Sequence, residues 1–568
     1  MKYFVINNTS RAANYGIGTY ITQLKDCLVR RNDIELSFID MCAEVKEYTV
    51  EQDSDGRVHY KIPQIAQHLE DSLYCRNAFY FFSQHIHPVG AERFVFHFNY
   101  FQHYPLALRL KSYIPSCHIV LSVHYFGWCF ELKGNNIKFR ECVQQNKQAY
   151  FGNSIKDQYD MTYIYHGTET DSNSIIDSYI HERRFFCLAD TVVALSLYAK
   201  NMITKDYHID ASKVVVLYNG IADIIPQLEL KCKKDPQTQN IIFVGRLDDI
   251  KGVNYLIKAF RKLYNSNHLL HLYLVGDGDF GKCLSETNEI WEAVTFTGKI
   301  DRDKVRQLYQ KATIGVLPSF HEQCSYTAIE MMMYGIPFIG TDSTGLHEML
   351  ASTPDNIVHI DERAFEENKF VGDLANKMYR LLNDNTYREI SSKAMRDAYC
   401  KLYSLDKMTF NYHALVTDIS KTETLISNNM LVELDGYMIS LINSRPDIDM
   451  KFFGMSGIGY YIWRRICDLR TSNVKENVSR CLLLQEYMIY YLDWMIDSIK
   501  SSQADENKTT IASELKALLS ELYSDGFYQT AILLIVNRLS IDSLNKYERI
   551  DTDLIYGNAI KIYGYDLN

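Results

Sequence analysis

The sequence predicts an α/β fold with two doubly wound domains, followed by an all-helical C-terminal domain. Short β-branched and aromatic runs alternate with amphipathic helical patterns as far as about residue 418. A polar, lysine-rich stretch near 229–239 interrupts this alternation once, which indicates a linker. Beyond residue 420 the periodicity is helical throughout. We therefore expect domains at 1–228, 229–402 and 420–568.

The strand candidates fall into two groups, one on each side of the linker. The first group is 2–7, 94–98, 118–124, 191–195 and 214–220, and the second is 240–245, 270–276, 293–298, 314–318 and 336–340. Between the candidates at 240–245 and 270–276, the residues Leu256, Ala259, Phe260 and Leu263 have the spacing of a helix with one buried face. Strand, helix and strand in this order predict parallel sheets covered by helices on both faces. Because such sheets bind ligands beyond the carboxyl ends of their strands, two facing domains predict a cleft between them.

Composition excludes several classes of function. The 568 residues carry a net charge of −10, which argues against a nucleic-acid binder. No apolar run approaches the roughly 20 residues of a membrane-spanning helix, and residues 1–10 indicate a strand and a turn, not a signal peptide. The 13 cysteines form no Cys-x-x-Cys pair, which indicates reduced thiols, no structural zinc site and a cytoplasmic protein.

Two carboxylates stand on either side of a predicted loop–helix boundary. Glu322 lies in the polar loop after Pro318-Ser319, and Glu330 lies on an apolar helix. In continuous helix they would be about 12 Å apart, which is too far for a glycosidase pair at roughly 5–10 Å. The spacing suits two hydroxyl-rich groups of one elongated ligand, with an anion at the helix amides between them. The alternative is a capping box at Thr327 and Glu330 with Glu322 solvated.

Two further loops carry residue types that bind a diphosphate. Arg246 and Lys251 follow a strand between Gly245 and Gly252, where a basic pair can neutralise phosphate charge. The loop and helix start at 7–24 carry Gly16 and Gly18, whose amides can approach a phosphate. Solvated charges beside a glycine turn are the alternative for the first loop. The glycine spacing of the second is not that of a dehydrogenase dinucleotide site.

The ordered set of motifs resembles the retaining glycosyltransferases of family 4, within glycosyl transferases group 1, which have the GT-B fold. The set comprises Gly16-x-Gly18, "HERRFFCLADTVVALS", "VVVLYNGI", "VGRLDDIKG", "LVGDGD", "VTFTGK", the block from Glu322 to Glu330 and "GIPFIGTDSTGLHEML". The resemblance covers about residues 1–418. It implies that 403–418 is a closing helix that returns to the first domain.

The resemblance implies a role for each matching residue. Arg246 and Lys251 would bind the donor diphosphate and stabilise the leaving group without a metal, Glu322 would contact the donor sugar, and Glu330 would bond the ribose hydroxyls. Gln323, Cys324, Ser325 and Tyr326, with Thr327 beside them, match a loop that holds sugar hydroxyls and phosphate, and Gly298 and Lys299 match a strand end that reads the base. His124 matches a histidine at the reaction centre.

Some residues have a simpler alternative or depart from the family. Without the other motifs His124 would be a satisfied core histidine, and His97 is the weaker candidate and structural. The run Gln323-Cys324-Ser325-Tyr326 replaces a Gly-Phe-Gly-like run, so the sugar cannot be inferred by analogy. Only His321 is a candidate base for Cys324, and a packed thiol is the preferred interpretation.

The resulting hypothesis is an enzyme that moves a hexose-type residue, with retention, from a nucleoside-diphosphate sugar to a glycan, lipid-linked sugar or peptide. A UDP-sugar is favoured over a GDP-sugar, and no cofactor or metal is required. The alternatives are a non-catalytic partner of another transferase and, less favoured, a nucleotide-sugar epimerase. Membrane contact, if any, would be peripheral, at the inner surface.

The helical C-terminal domain carries a separate motif. Residues 451–468 resemble the Ser-Gly-Ile-Gly helical repeats of lanthionine-cyclase-like proteins, without a recognisable set of zinc ligands. An acceptor- or peptide-binding module is one interpretation. A helical lid or an oligomerisation domain is the other.

Overall fold

The computed structural model describes residues 1–9, 16–64, 71–86, 92–114, 116–150, 171–225 and 238–421. Within these ranges the chain forms two sheets, one of eight strands and one of six. Helices alternate with the strands along the chain in both. The predicted helical domain lies outside these ranges from residue 422 onward, as does the motif at 451–468.

The first sheet has the strand order β3-β4-β2-β1-β5-β6-β7-β8. Its strands are β1 Lys2–Asn8, β2 Glu35–Ala43, β3 Thr49–Gln52, β4 Val58–Pro63, β5 Phe94–Phe98, β6 His118–Val123, β7 Thr191–Ala194 and β8 Val214–Val216. Neighbouring strands are parallel except the edge pair β3–β4. The helices are α1 Gly16–Leu28, α2 Asp71–Ser83, α3 Tyr104–Tyr113, α4 Trp128–Glu131, α5 Asn136–Tyr150, α6 Asp171–Leu188 and α7 Leu197–Asn201.

The second sheet is parallel, with the order β11-β10-β9-β12-β13-β14. Its strands are β9 Gln239–Val244, β10 Leu270–Val275, β11 Val294–Gly298, β12 Ile314–Leu317, β13 Phe338–Thr341 and β14 Ile357–Val358. The helices are α8 Val253–Tyr264, α9 Phe280–Ser285, α10 Arg302–Lys311, α11 Tyr326–Met333, α12 Thr344–Met349, α13 Glu367–Asn383 and α14 Asn385–Ala398. A π turn at Tyr399–Tyr403 leads to the last described helix, α15 Leu405–Lys421.

The predicted fold class is confirmed for the described residues, and the ten predicted strands correspond to ten observed ones. Four strands were missed: β2, β3, β4 and β14. In β2 the buried Asp40 interrupts the apolar pattern, and its carboxylate is satisfied by His59 Nδ1 at 2.6 Å and Asn7 Nδ2 at 3.2 Å. Partners that lie on other strands cannot be read from a local pattern. Of the remaining three, β3 and β14 are short strands at the edges of their sheets, and β4 pairs with β3.

A buried hydrogen-bond network joins α15 to the first sheet. The Tyr412 hydroxyl bonds that of Tyr20 on α1, and Tyr20 in turn bonds Ser122 Oγ of β6 at 2.6 Å. His97 of β5 bonds Ser122 Oγ at 2.7 Å through Nε2 and the Tyr3 hydroxyl at 2.8 Å through Nδ1, one ring nitrogen donating and the other accepting. Every member of this network has a partner, so it joins α15 to the first domain without an unsatisfied polar atom.

The first domain also buries a carboxyl group away from the cleft. Glu182 of α6 is 2% exposed and accepts hydrogen bonds from the Gly127 N–H and the Tyr207 hydroxyl. Burial raises its pKa from 4.5 to about 8, although the two hydrogen bonds oppose the shift. Because the folded pKa is above the unfolded one, the contribution of Glu182 to stability is present at low pH and is lost as the pH rises toward about 8.

Replacing Glu182 with the neutral isostere Gln should remove this pH dependence. Glu182→Gln keeps an acceptor for Gly127 and a donor or acceptor for Tyr207. The wild type should lose roughly 1.4 kcal/mol of stability per pH unit in this window relative to the variant. Thermal midpoints at pH 6 and pH 9 measure the difference, with Glu389→Gln on an exposed surface of α14 as the control. Parallel pH profiles for wild type and Glu182→Gln would show that Glu182 is already ionised in the folded protein.

Candidate functional site

The cleft lies where the order of successive strands reverses in each sheet. In the first sheet β2 and β5 flank β1, and in the second β10 and β12 flank β9. Loops that leave such neighbouring strands diverge and open a crevice at their carboxyl ends. The two crevices face each other and form one cleft of about 850 Å³, lined by residues of both domains.

The cleft brings together most of the residues predicted for the site. Thirteen of them line it: Gly16, His124, Gly245, Arg246, Lys251, Lys299, Glu322, Gln323, Cys324, Ser325, Tyr326, Thr327 and Glu330. Gly18 lies in the first turn of α1 and does not line the cleft, and Gly298 ends β11 beside the lining residue Lys299. The predicted loop before Gly16 falls partly outside the described residues, which resume at Gly16.

An ion pair joins the loops that follow β9 and β12. Lys251 Nζ lies 2.5 Å from Glu322 Oε1, and both side chains are mostly buried. Ser319 Oγ donates to the same carboxylate oxygen at 3.2 Å, and the Glu322 N–H donates to Thr344 Oγ1 at 2.8 Å. Glu322 is therefore held by contacts with three residues, and it lies at one end of the cleft.

Close backbone approach fixes the Lys251 loop against the Glu322 loop. Gly252 has φ 67°, and a Cβ on it would lie 2.2 Å from the carbonyl oxygen of Pro318. Only glycine fits this left-handed position at such a distance. The Phe320 N–H then donates to the Ile250 carbonyl at 2.7 Å. These contacts hold the two loops against each other, which places Lys251 and Glu322 together.

Arg246 and the start of α11 offer an anion site beside this pair. Arg246 is partly exposed in the cleft and contacts Asp248 at 3.1 Å. The helix begins at Tyr326, and its N-cap Ser325 accepts from the Ala328 N–H at 3.5 Å. The capping box considered for Thr327 and Glu330 is not formed, because Thr327 lies inside the helix. Free amides at this terminus and the guanidinium group favour a negatively charged ligand.

Glu330 is held by residues that the sequence analysis missed. Its Oε2 accepts from the Tyr309 hydroxyl at 2.8 Å. The pKa of Glu330 is raised, because burial outweighs the opposing effects of the Tyr309 hydrogen bond and of the Arg302 and Arg306 charges. All three residues lie on α10 and line the cleft. The signal in the sequence was their spacing of four and three residues, which places them on one helix face.

His124 follows β6 and lines the cleft as a neutral imidazole. Burial lowers its pKa to about 3. Asn99 Nδ2 donates to the Ile6 carbonyl at 3.2 Å, so Asn99 Oδ1 faces His124 Nε2 at 3.1 Å. The proton of His124 therefore lies on Nε2, which leaves Nδ1 as a hydrogen-bond acceptor.

Cys324 is a buried thiol in an environment that does not support nucleophilic chemistry. Burial raises its pKa to about 12, so a thiolate is strongly disfavoured at neutral pH. Its carbonyl accepts from Asn219 Nδ2 at 2.7 Å, which links the segment after β8 in the first domain to this loop. The ten cysteines in the described part of the chain are free thiols.

A second contact between the domains closes the far side of the cleft. The Glu362 carboxylate accepts from Asn136 Nδ2 at 2.6 Å and from the N–H groups of Asn136 and Ile137 at 3.1 and 3.2 Å, so it caps α5 across the domain boundary. Gly134, with φ 72°, lies so close to the Phe320 carbonyl oxygen that a Cβ would be 2.3 Å from it. Glu362 and Gly134 thus hold the loop before α5 against the loop that carries Glu322.

The described residues form neither a metal centre nor a membrane span. In that part of the chain no group of three or more His, Cys, Asp or Glu side chains is placed to hold a metal ion. None of the helices with described residues has the length and apolar character needed to cross a membrane.

Two Rossmann-like sheets facing a cleft define the GT-B class of fold. The described structure superposes on a sucrose-phosphate synthase from Thermosynechococcus elongatus with a TM-score of 0.54 and 16% identity, over 74% of this chain and 99% of that one. This likeness concerns the fold alone.

The residues of the second sheet are similar in sequence to glycosyltransferases. Residues 238–384 match the family model of glycosyl transferases group 1. An uncharacterized glycosyltransferase of Methanocaldococcus jannaschii is 28% identical over 245 residues, 40% of this chain and 60% of the relative. An O-antigen chain mannosyltransferase of Salmonella typhimurium is 26% identical over 180 residues, 31% of this chain and 48% of the relative. The matches thus span less than two thirds of either relative.

Removing the Glu362 cap should weaken the contact between the two domains. Glu362→Ala deletes three hydrogen bonds that cross the boundary, each worth about 1 kcal/mol, and leaves the first amides of α5 without a cap. Hydrogen–deuterium exchange of peptides covering 132–140 and 318–324 should become faster. Glu366→Ala is the matched control, because Glu366 is exposed nearby and makes no side-chain cap bond to α13. Unchanged exchange in Glu362→Ala would show that other contacts suffice for closure.

Proposed function

We propose that this chain is a retaining glycosyltransferase of family 4 that transfers a hexose-type residue from a nucleoside-diphosphate sugar. The observation that carries the proposal is the cleft at the facing strand ends, where Arg246 and the Lys251–Glu322 pair lie beside the start of α11. The family match of residues 238–384 supports it.

In this proposal Arg246 and Lys251 stabilise the leaving diphosphate. As the glycosidic bond breaks, negative charge grows on the departing phosphate oxygen, and preorganised cations in a water-poor cleft lower the energy of that state. Lys251 is held by Glu322 and needs little reorganisation. Glu322 also neutralises part of the lysine charge before the donor binds. The carboxylate can then accept from a hydroxyl of the donor sugar.

Glu330 and the α10 residues supply a site for the nucleoside. Tyr309 occupies one carboxylate oxygen of Glu330, and the other can accept from a ribose diol. Lys299 lies at the neighbouring strand end, where the base would bind. We favour a UDP-sugar as donor and keep a GDP-sugar as the second choice.

The chain offers no separate carboxylate nucleophile in this proposal, so the acceptor hydroxyl attacks from the face that the diphosphate leaves. The departing phosphate takes the proton, and the anomeric configuration is retained. His124 accepts a hydrogen bond from a sugar hydroxyl through Nδ1, in keeping with its neutral state. Closure of the two domains excludes water from the reacting centre.

The remaining elements of the proposal concern the acceptor and the domains. The acceptor is a glycan, a lipid-linked sugar or a peptide. We propose the domain boundaries 1–228 with 403–418, 229–402 and 420–568, and an accessory role for the last domain in binding the acceptor or in oligomerisation. The proposed location is the cytoplasm, with peripheral contact at the inner membrane surface.

Binding of a nucleoside diphosphate should depend on Glu330. In EDTA, one of UDP, GDP, ADP, TDP and CDP should raise the thermal midpoint, since a ligand at a hundredfold excess over its Kd adds about 2.7 kcal/mol. Glu330→Gln retains the Tyr309 hydrogen bond but removes the charge, and should weaken that diphosphate about tenfold. Glu389→Gln is again the exposed control. A wild type that binds none of the five would favour the non-catalytic partner over the enzyme.

Turnover should depend more strongly on the cations than binding does. Arg246→Ala should lower kcat by about two to three orders of magnitude with a smaller change in donor KM, since it removes charge that acts mainly on the transition state. Lys251→Ala should cost at least as much, partly because Glu322 is left unpaired, and Lys251→Ala/Glu322→Gln separates the two effects. Donor hydrolysis or transfer followed by NMR also reports the anomeric configuration. Full activity of Lys251→Ala would contradict the mechanism.

A further inference from the structure

Several buried polar atoms in the cleft have no hydrogen-bond partner within the described part of the chain. They belong to side chains that line the cleft: Gln23, Tyr100, Asn219, His321, Gln323, Tyr326 and Tyr334. A buried polar group without a partner costs about 1–3 kcal/mol, and folded proteins contain few of them. Their concentration in one cleft indicates groups that are satisfied by a ligand.

His321 is the clearest member of this set. It is 7% exposed, it directly precedes Glu322, and neither ring nitrogen has a partner among the described residues. Burial, assisted by the nearby Lys251 charge, lowers its pKa to about 3, so the ring is neutral. A neutral imidazole offers one donor and one acceptor. This combination matches a hydroxyl group, which both donates and accepts.

Two further side chains that line the cleft, those of Gln323 and Asn219, offer complementary groups whose orientation is determined by their other contacts. Ser196 Oγ accepts from the Ala199 N–H, so its proton goes to Gln323 Oε1 at 3.2 Å, and Gln323 Nε2 remains a donor. Asn219 Nδ2 donates to the Cys324 carbonyl at 2.7 Å, so Asn219 Oδ1 remains an acceptor. The side chains that line the cleft therefore include a donor on Gln323 and an acceptor on Asn219.

We infer that His321, supported by Gln323 and Asn219, determines the specificity of the donor site for a neutral, hydroxyl-bearing hexose over a uronic acid. The inference rests on the proposed function and concerns the sugar part of the same site. A carboxylate on the sugar would meet the acceptor oxygen of Asn219 and the negative charge of Glu322. Lys251, the cation whose charge acts on His321, is already paired with Glu322 at 2.5 Å. Vicinal hydroxyls satisfy donors and acceptors alike.

The test separates binding of the sugar from binding of the nucleotide. Calorimetric titration uses UDP, UDP-glucose, UDP-galactose and UDP-glucuronic acid, with GDP and GDP-mannose as the guanosine set. His321→Leu should bind the bare diphosphate within about twofold of wild type and the neutral nucleotide hexose about tenfold more weakly, the equivalent of one or two lost hydrogen bonds. His321→Asn, which restores a donor and an acceptor, should recover part of the loss.

Stability supplies an independent measurement. Without ligand, His321→Leu should be at least as thermally stable as wild type, because two unpartnered buried nitrogens are removed. His347→Leu, on the exposed side of α12, is the matched control and should leave all affinities unchanged.

Three results would overturn the inference. One is equal weakening of the diphosphate and the nucleotide hexose in His321→Leu, and another is unchanged affinity for both. The third is wild-type affinity for the uronic acid donor that equals or exceeds its affinity for the neutral hexose donors. A wild type that binds no nucleotide at all would remove the proposed function, and this inference with it.

Discussion

The site depends on the contact between two loops that leave neighbouring parallel strands. β9 and β12 lie side by side, so Lys251 and Glu322 meet at 2.5 Å although 71 residues separate them. Gly252 makes this possible, because its missing side chain lets the backbone touch Pro318. The ion pair is mostly buried, where a lone charge would be costly, and each partner therefore requires the other. The rest of the cleft is arranged around this pair.

The second constraint is the way the two domains meet. Near the linker, Asn219 and Ser196 of the first domain bond the loop that begins at Glu322, and Glu362 caps α5 on the far side. Arg302 adds a contact to Thr19 at 3.0 Å. These contacts surround the cleft without filling it. A ligand bound in the cleft would lie between the basic residues of the second domain and the neutral His124 of the first.

The site was predictable from sequence wherever its residues are close along the chain. Glu322 and Glu330 share one loop and helix, and Arg246 and Lys251 share one turn, so spacing alone identified them. His321 was visible too, but only the structure shows that both its nitrogens are buried without a partner in the described residues. Glu362 lies about 40 residues beyond the Glu322 loop, and its partners precede that loop by nearly 190 residues, so no local pattern connects them.

The sequence by itself determined the class of fold, most of the strands and most of the predicted residues that line the cleft at the strand ends. Those features follow from periodicity and from short motifs, which act over a few residues. Only the tertiary structure decided the edge strands β3 and β4, the buried hydrogen bonds that join α15 to the first domain and the contacts of Glu362. It also decided the neutral state of His124 and His321. Charge state and closure depend on burial and on partners from distant segments, and these exist only once the chain has folded.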